Sequence, residues 1–397
     1  MNKEKITRIL LRFLMMSWVF CVCSACVSKP PAPLSEASLS AVVTSDLHLS
    51  TDPDVNAAIV PAMPYGKQTL EVIAAQTIDL KPDVLIITGD LTNSGIKKDM
   101  EALKKILEPV KDAGIRVVLT TGNHDFNNCT PEAFWDCYSS LLDVMETDSD
   151  SLSYITEIGN VRLFAMDDNS FDGGLSGTFS QKTMKWLESA LKRAEKEGKT
   201  VLFLSHHSVI RKPAGDQSSS FQITNPDLVH LLETHQVHLC LSGHLHAQAI
   251  QHTGSLYEII STMPLNNPHV IGTLKLHHQS LEYHTVPIGF EAYSGSALAE
   301  AIRAADQNER ESTMEIFASL LESEGLSGVR YEGVNRLLVR FFEAYAAGTL
   351  ETAGEAIKAD PYYPDLIEAL NDHNYGPWIE AVLSDPPENG NELNVSW

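Results

Sequence analysis

Short apolar runs rich in β-branched residues alternate with segments of helical periodicity along most of this chain. Such runs, bounded by turn residues, predict buried strands, and apolar positions three and four apart predict amphipathic helices. Strands that alternate with helices are typical of an α/β layered domain. The predicted strands cover 40–44, 84–88, 115–120, 161–166, 200–204, 237–241, 256–262, 270–277 and 280–286. The predicted helices cover 66–80, 97–113, 181–197 and 226–234.

The pattern changes near residue 290, and beyond residue 295 no segment has the β-branched run of a strand. Leu298, Ile302 and Ala305 share one face of a predicted helix, and a later apolar stripe has the same periodicity. We therefore predict an α/β domain over 41–289, followed by an all-helical domain over 290–397.

Before these domains comes a segment with the composition of an export signal. Residues 1–26 begin with lysines and arginines, continue with an apolar run and end in Ser24, Ala25 and Cys26. This ending resembles a bacterial lipobox, which would make Cys26 the lipidated first residue of a membrane-anchored lipoprotein. Cleavage without lipidation and an uncleaved anchor helix are the alternatives. All three place the protein outside the cytoplasmic membrane, beyond a proline- and serine-rich linker over 27–40.

The overall composition is that of a globular protein, with 43% hydrophobic and 20% charged residues in a chain of 397. Its 29 lysines and arginines face 52 aspartates and glutamates, which gives a formal charge of −23. Binding to a nucleic-acid polymer needs a basic surface, so no such partner is expected. A small phosphorylated substrate stays compatible with this charge if metal ions supply the positive charge.

Three cysteines lie beyond the export signal, namely Cys129, Cys137 and Cys240. Thr130 followed by Pro131 has the pattern of a helix N-terminus. Along a helix, Cys129 and Cys137 would be separated by about 12 Å, which is beyond the reach of a disulfide. We therefore expect free thiols.

Aspartate, asparagine and histidine directly follow five of the predicted strands, at the positions where open α/β sheets bind ligands. They form the motifs Asp-x-His, Gly-Asp, Gly-Asn-His-Asp, His-His and Gly-His-x-His. Each motif alone is a weak signal, but the whole series, with each motif at a strand end, predicts one shared site. The candidate residues are Asp46, His48, Asp90, Asn123, His124, Asp125, His206, His207, His244 and His246.

The chemistry of these side chains favours a two-metal hydrolytic site. Carboxylate and imidazole ligands suit Mn, Fe or Zn, and the lack of clustered cysteines argues against a structural zinc knot. One carboxylate can bridge two ions about 3.5–4 Å apart, and Asp90 stands alone at the end of its strand. In extended segments Asp46 and His48 would point to the same side, as would His244 and His246. The glycines that precede three of the motifs would allow sharp turns close to the metals.

The same motifs, in this order over about 41–288, resemble those of the calcineurin-like metallophosphoesterases. The resemblance implies a two-sheet αββα sandwich and a binuclear centre of two divalent or trivalent ions of Mn, Fe or Zn, with a metal-bridged hydroxide that attacks phosphorus. Carried over motif by motif, it implies a first metal held by Asp46, His48 and His246, a second held by Asn123, His206 and His244, and a bridge at Asp90.

The resemblance also assigns roles around the reacting phosphorus. His124 would protonate the leaving oxygen or stabilise the transition state, and Asp125 would orient His124. The family block His-x-Pro aligns His206 with the metal ligand, which leaves His207 to support the site or to contact the substrate. Together with His207, the expected substrate contacts are Asn123 and His124.

The strings around the second and third motifs are similar to those of bacterial cyclic-nucleotide phosphodiesterases, which include an extracytoplasmic lipoprotein branch with a C-terminal helical domain. We therefore predict a metal-dependent phosphodiesterase that acts on a small phosphorylated substrate, with a cyclic nucleotide as the first expectation. A phosphomonoesterase or nucleotidase with the same centre is the alternative. A binding protein without catalysis is a third reading, against which the complete set of donors argues.

Overall fold

The structure of the protein is a computed structural model that describes residues 39–52, 60–169, 176–210, 221–371, 375–386 and 389–397. The predicted export signal with Cys26, and nearly all of the linker, lie outside the described residues. In chain order the described strands are β1 (Leu39–Thr44), β2 (Val84–Thr88), β3 (Arg116–Thr120), β4 (Glu146–Thr147), β5 (Tyr154–Ile158), β6 (Val161–Ala165), β7 (Thr200–Leu204), β8 (Leu239–Ser242), β9 (Ala249–Thr253), β10 (Leu256–Ile260), β11 (Val270–Leu276), β12 (Ser280–Pro287) and β13 (Glu392–Ser396).

The described helices agree with the four predicted in the first domain and add several more. In chain order they are α1 (Gly66–Leu80), α2 (Lys97–Asp112), α3 (Pro131–Tyr138), α4 (Gln181–Lys196), α5 (Leu228–Thr234), α6 (Phe290–Ser294), α7 (Ser296–Ser323), α8 (Gly328–Ala346), α9 (Leu350–Lys358), α10 (Tyr363–Leu370) and α11 (Tyr375–Ser384).

The first sheet has the strand order β13–β12–β11–β1–β2–β3, in which β1, β2 and β3 run parallel. On the other side of β1, β11 pairs with it in the antiparallel direction. All of β2 is buried, as expected for a central strand covered on both faces. The carboxyl ends of the three parallel strands therefore meet at one edge of the sheet, where the chain enters the first three motifs.

The second sheet has the order β4–β5–β6–β7–β8–β10–β9, with β6, β7, β8 and β10 parallel. Neighbouring residues of a strand face opposite sides of the sheet. Accordingly, Leu163 packs in the core shared with the first sheet, while Phe164 packs in a second core with Leu187 of α4 and Leu232 of α5. Helices α1 and α2 pack against the first sheet. This arrangement confirms the predicted αββα sandwich.

The region after the sandwich is mainly helical, as predicted. Helix α7 packs the predicted apolar face, with Leu298, Ile302 and Ala305, into the core of the sandwich. Helices α8 to α11 share a separate core that includes Phe341 and Leu366. The described part of the chain belongs to one compact unit.

The expectation of no strand beyond residue 295 is wrong. Strand β13 pairs antiparallel with β12 and extends the edge of the first sheet. Within β13 Leu393 is buried while the flanking Glu392 and Asn394 are exposed. So short a segment has little local signal, and its strand conformation depends on the edge that the rest of the fold provides.

The expectation of free thiols can be compared directly with the structure. Cys129, Cys137 and Cys240 are free thiols, as predicted. Among the helices of the described residues, none has both the length and the apolar character needed to cross a bilayer.

Candidate metal centre

The side chains predicted to form one site converge at the carboxyl ends of strands from both sheets. They include two groups of donors, and within each group all ligand atoms lie within 4.8 Å of one another. Asp90 belongs to both groups, as expected for a carboxylate that bridges two ions. The first group is Asp46, His48, Asp90 and His246, and the second is Asp90, His206 and His244.

In the first group the imidazole nitrogens and carboxylate oxygens face one another. The Nε2 atoms of His48 and His246 are 3.0 Å apart. Asp90 Oδ2 lies 3.4 Å from His48 Nε2, and Asp46 Oδ1 lies 3.5 Å from His246 Nε2. These are carboxylate and imidazole donors of the kind that first-row transition metals bind.

The second group is built around His206. The Nε2 atom of His206 lies 3.4 Å from Asp90 Oδ2 and 3.2 Å from Nδ1 of His244. The side-chain oxygen of Asn123 lies 3.1 Å from the same nitrogen, so the structure brings Asn123 into this group as well.

The contacts of His206 show why a cation fits between these groups. The Nδ1–H of His206 donates to the carbonyl oxygen of Thr88 at 2.9 Å, so in the neutral ring it is Nε2 that carries the lone pair. That lone pair faces the oxygens of Asp90 and Asn123, which are acceptors too. Burial alone would lower the pKa of His206, but Asp90 raises it to about 10. The site therefore calls for positive charge at this position, whether a proton or a metal ion.

Burial and neighbouring charge set the protonation of the other donors. Burial would raise the pKa of Asp90, but the adjacent histidines, His206 first, hold it well below its usual range. The pKa of Asp46 is also lowered, because the effect of His246 exceeds that of burial. Burial lowers the pKa of His48 to about 4. Ionised carboxylates and a neutral imidazole are the forms that bind metal ions.

Several candidate ligands have a left-handed backbone conformation, which is uncommon for residues other than glycine and is concentrated at functional sites. The expectation that the two i, i+2 pairs lie in extended segments is therefore wrong. Their side chains converge because the backbone turns sharply after each strand. The φ angles are 52° for Asp46, 42° for His48, 46° for Asp90, 66° for His244 and 49° for His246.

The glycines of the motifs do two different things. Gly89 has a φ of 89°, so it makes the sharp turn that the sequence predicts. Gly122 and Gly243 instead allow close approach between loops. A Cβ atom on Gly122 would overlap the backbone nitrogen of Asp90, and one on Gly243 would overlap a carboxylate oxygen of Asp46.

His124 lies at the edge of the first group, next to His48. Its ring packs edge-on against His48, with 4.6 Å between the centroids. Its backbone N–H donates to Asp90 Oδ1 at 2.8 Å, and its Nδ1–H donates to the carbonyl oxygen of Asn93 at 2.9 Å. The Nε2 atom is therefore the position at which this ring can exchange a proton with a substrate.

The structure corrects the role predicted for Asp125. The hydrogen-bond partner of the His124 ring is the carbonyl of Asn93, so Asp125 does not orient that ring directly. The carboxylate of Asp125 accepts the backbone N–H groups of Leu91, Thr92 and Gly122 at 2.9–3.1 Å. Burial, with a further contribution from Asp90, raises the pKa of Asp125 to about 7. Asp125 thus ties the second motif to the third and acts through the backbone.

Of the two roles that the sequence leaves open for His207, the structure favours support of the site over contact with the substrate. The ring of His207 is fully buried, and its Nδ1 lies 3.2 Å from Asp168 Oδ1. The backbone N–H groups of His206 and His207 both donate to Asp168 Oδ2. Sequence reasoning missed Asp168, although it follows the strand predicted over 161–166 and thus stands at a strand end like the other motifs.

Glu258 of β10 is a second residue that sequence reasoning missed, and it connects two of the histidine motifs. It is fully buried and accepts the backbone N–H groups of Val209 and Ile210 at 2.8 and 2.9 Å. It also accepts the hydroxyls of Ser208 at 2.9 Å and Ser242 at 2.7 Å. One carboxylate therefore holds both the loop after His206 and the strand end before His244. A glutamate within an apolar strand gives no local signal for this role.

Comparison with protein families agrees with this geometry. Residues 39–248 match the family described as calcineurin-like phosphoesterase. The match covers more than half of the chain and includes both groups of donors. The chain therefore belongs to the calcineurin-like phosphoesterase family, as its motifs predict.

Similar curated proteins have phosphodiesterase names. A "Probable cyclic nucleotide phosphodiesterase" of Rhodococcus erythropolis is 29% identical over 210 residues, or 51% of this chain and 63% of that protein. A "Probable glycerophosphodiester phosphodiesterase GpdQ" of Arcobacter nitrofigilis is 29% identical over 167 residues, or 42% of this chain and 57% of that protein. The chain thus spans less than two thirds of the length of either relative. A solved dimetal phosphatase from Danio rerio has a TM-score of 0.49 at 15% identity, and covers 63% of this chain and 96% of its own.

Proposed function

We propose that this chain is a binuclear, metal-dependent phosphodiesterase whose substrate is a cyclic nucleotide. The observation that carries the proposal is the position of Asp90, whose Oδ2 atom lies 3.4 Å from the Nε2 atoms of both His48 and His206. Asp90 therefore has metal-binding nitrogen atoms on two sides, and this arrangement fits two cations that share its carboxylate.

The donors divide between the two ions according to the two groups. When bound, such a pair of ions supplies a hydroxide nucleophile near neutral pH and neutralises the phosphoryl oxygens. Manganese, iron and zinc all suit this mixture of carboxylate, amide and imidazole donors. The first ion would be held by Asp46, His48 and His246, the second by Asn123, His206 and His244, and both by Asp90.

His124 is the residue that we assign to proton transfer. The carbonyl of Asn93 accepts its Nδ1–H and the ring packs against His48 of the first group, so Nε2 is the nitrogen that remains for the substrate. Protonated at Nε2, the imidazole would donate this proton to the leaving oxygen of the ester and become neutral, and a proton from solvent would then restore the protonated form. Asp125 and Asp90 support this position through the backbone contacts already described.

The choice of a cyclic nucleotide is supported by the names of the relatives, and a glycerophosphodiester is the second diester that those names suggest. The experiment is a comparison of purified protein with Mn²⁺ on bis(4-nitrophenyl) phosphate and 4-nitrophenyl phosphate, followed by adenosine 3′,5′-cyclic phosphate and glycerol 3-phosphocholine. We expect a higher kcat/KM for the diester of the chromogenic pair and for the cyclic nucleotide of the natural pair. A higher value for the chromogenic monoester would make the protein a phosphomonoesterase, and no turnover of any of the four would favour a binding protein.

We also propose that the protein is an extracytoplasmic lipoprotein anchored through Cys26. The Ser24-Ala25-Cys26 ending of the N-terminal segment supports this location. Expression in a bacterium, with the membrane fraction extracted by detergent, tests it. We expect the wild-type protein in the detergent phase and the Cys26→Ser variant without lipid by mass spectrometry. Wild-type protein that lacks lipid at Cys26 contradicts the anchor.

A further inference from the structure

Phe221 presents an exposed aromatic ring beside the second group of metal donors. Its side chain is 41% exposed, and its ring centroid lies 5.6 Å from that of His244. Among the large hydrophobic side chains that the described ranges leave exposed, it is the only phenylalanine. An exposed ring at this place is a candidate for contact with whatever the metals bind.

The backbone around Phe221 is fixed to the site. The N–H of Ser208 donates to the carbonyl oxygen of Phe221 at 3.4 Å, and the N–H of Ile223 donates back to Ser208 at 2.9 Å. Gln222 forms a parallel bridge with Ser208, and Ile223 is buried. The loop that follows His206 therefore determines where the ring of Phe221 stands.

The position of the Phe221 ring indicates which part of a bound ligand could contact it. The exposed ring of Phe221 lies beside His244, so a ligand whose phosphate lies between the two groups of donors and which extends past His244 would reach this ring. Contact with an apolar, planar group would remove this ring from water and gain stacking energy. A nucleotide is a ligand of this kind, because its sugar joins the phosphate to a planar base. A glycerol ester has no planar ring.

We propose that Phe221 is the platform on which the base of a nucleotide stacks while its phosphate is held by the metals. This inference rests on the proposed function for the position of the phosphate. It goes further in that it assigns a base subsite and predicts a preference for nucleoside over glycerol esters. Base stacking on an aromatic side chain tolerates different bases, so the platform selects for the presence of a ring more than for its identity.

The experiment measures binding with analogues that cannot be hydrolysed, so that it does not depend on turnover. The full chain with Mn²⁺ is titrated with the phosphonate analogue of adenosine 5′-phosphate and with that of ribose 5-phosphate, which lacks the base. We expect the wild type to bind the adenosine analogue roughly tenfold more tightly, and Phe221→Ala to lose this preference. Phe221→Trp should retain it, as should Tyr293→Ala, which removes another exposed aromatic ring far along the chain.

Kinetics separate this inference from the proposed function. In Phe221→Ala we expect the KM for adenosine 3′,5′-cyclic phosphate to rise roughly tenfold at unchanged kcat, while glycerol 3-phosphocholine is unaffected. Equal binding of the two analogues by the wild type, or an adenosine preference that survives in Phe221→Ala, overturns the platform. Failure of the wild type to cleave any diester overturns the proposed function, whereas a Phe221-dependent adenosine preference in the same protein would still support the platform.

Discussion

The Oδ2 atom of Asp90 lies 3.4 Å from the Nε2 atom of His206, although the two residues come from different sheets. The same oxygen lies 3.4 Å from His48 Nε2. Since Asp90 belongs to both groups of donors, its loss should affect both ions. In Asp90→Asn we expect no more than one ion per chain by elemental analysis, and a fall in kcat/KM of roughly 100-fold or more.

The matched control for this substitution is Asp83→Asn, at the other end of β2. Asp83 is exposed and its carboxylate accepts hydrogen bonds from Ser40. The Asp83→Asn variant should keep the metal content and the activity of the wild type. Two ions per chain in Asp90→Asn would show that this carboxylate does not bridge them.

Removal of the His124 ring should separate catalysis from metal binding. His124 lies outside both groups of donors, so His124→Ala should retain the metal content of the wild type. Because its proton transfer is lost, kcat should fall by roughly 100-fold or more on a diester with a poor leaving group. The loss should be smaller on bis(4-nitrophenyl) phosphate, whose leaving group needs little protonation.

The control for this substitution is His278→Ala, an exposed histidine in the turn between β11 and β12, for which we expect wild-type rates. Equal losses of activity for the good and the poor leaving group would argue that His124 is not the acid.

Glu258→Gln should weaken metal binding although Glu258 contacts none of the donors directly. The amide replaces one acceptor oxygen by a donor, so the N–H groups and hydroxyls that meet at this carboxylate cannot all be satisfied. We expect the metal affinity to fall roughly 10- to 100-fold, with kcat largely restored at saturating Mn²⁺. Metal titration followed by activity provides the measurement.

Glu282→Gln, an exposed glutamate of β12, is the control and should not change the titration. Cooperative thermal unfolding would show that the Glu258→Gln variant is folded. If excess metal then fails to restore its kcat, Glu258 does not support metal binding by positioning the histidines.

The contrast between Asp90 and Glu258 explains how far the sequence can predict this site. Asp90, like the other candidate ligands, lies within a few residues after the end of a strand. Parallel strands place their carboxyl ends at one edge, so local pattern and topology together predict convergence. Glu258 lies within an apolar strand, and its partners at 208–210 and Ser242 are brought to it only by the fold. Asp168 is intermediate. It was not predicted as part of the site, as Glu258 was not, but it follows a strand end, as Asp90 does.

Backbone conformation was predicted less well than the arrangement of the strands. Asp46 and His48 converge through left-handed turns, and although aspartate and histidine adopt this conformation more often than most residues, their identity alone does not predict it. Strand β13 was missed because a short edge strand depends on its partner β12 rather than on its own pattern. The core strands, in contrast, are predicted by their apolar runs, because runs of this kind must be buried.

One ion-pair cluster away from the metals gives a prediction about pH and stability. Glu157 accepts hydrogen bonds from Lys199 Nζ and Arg162 Nε, each at 2.8 Å, and these contacts, Lys199 first, lower the pKa of Glu157. A lowered folded-state pKa adds stability above the unfolded value of about 4.3, and this stability is lost as the pH falls through the folded-state value. We expect the difference in unfolding free energy between wild type and Glu157→Gln to shrink as the pH is lowered below about 4.3.

Urea unfolding at a series of pH values measures this difference. Glu188→Gln, which breaks an exposed i, i+4 pair with Lys192, should show little change at any pH, because such pairs contribute little. A difference between wild type and Glu157→Gln that stays constant down to acid pH would contradict the assigned ion pair.

The central claim is that two cations share Asp90, and anomalous X-ray scattering from crystals grown with Mn²⁺ tests it most directly. We predict two anomalous peaks about 3.5–4 Å apart, one beside His48 and His246 and the other beside His206 and His244, with the carboxylate of Asp90 between them. A single peak, or two peaks that do not share Asp90, would contradict the account.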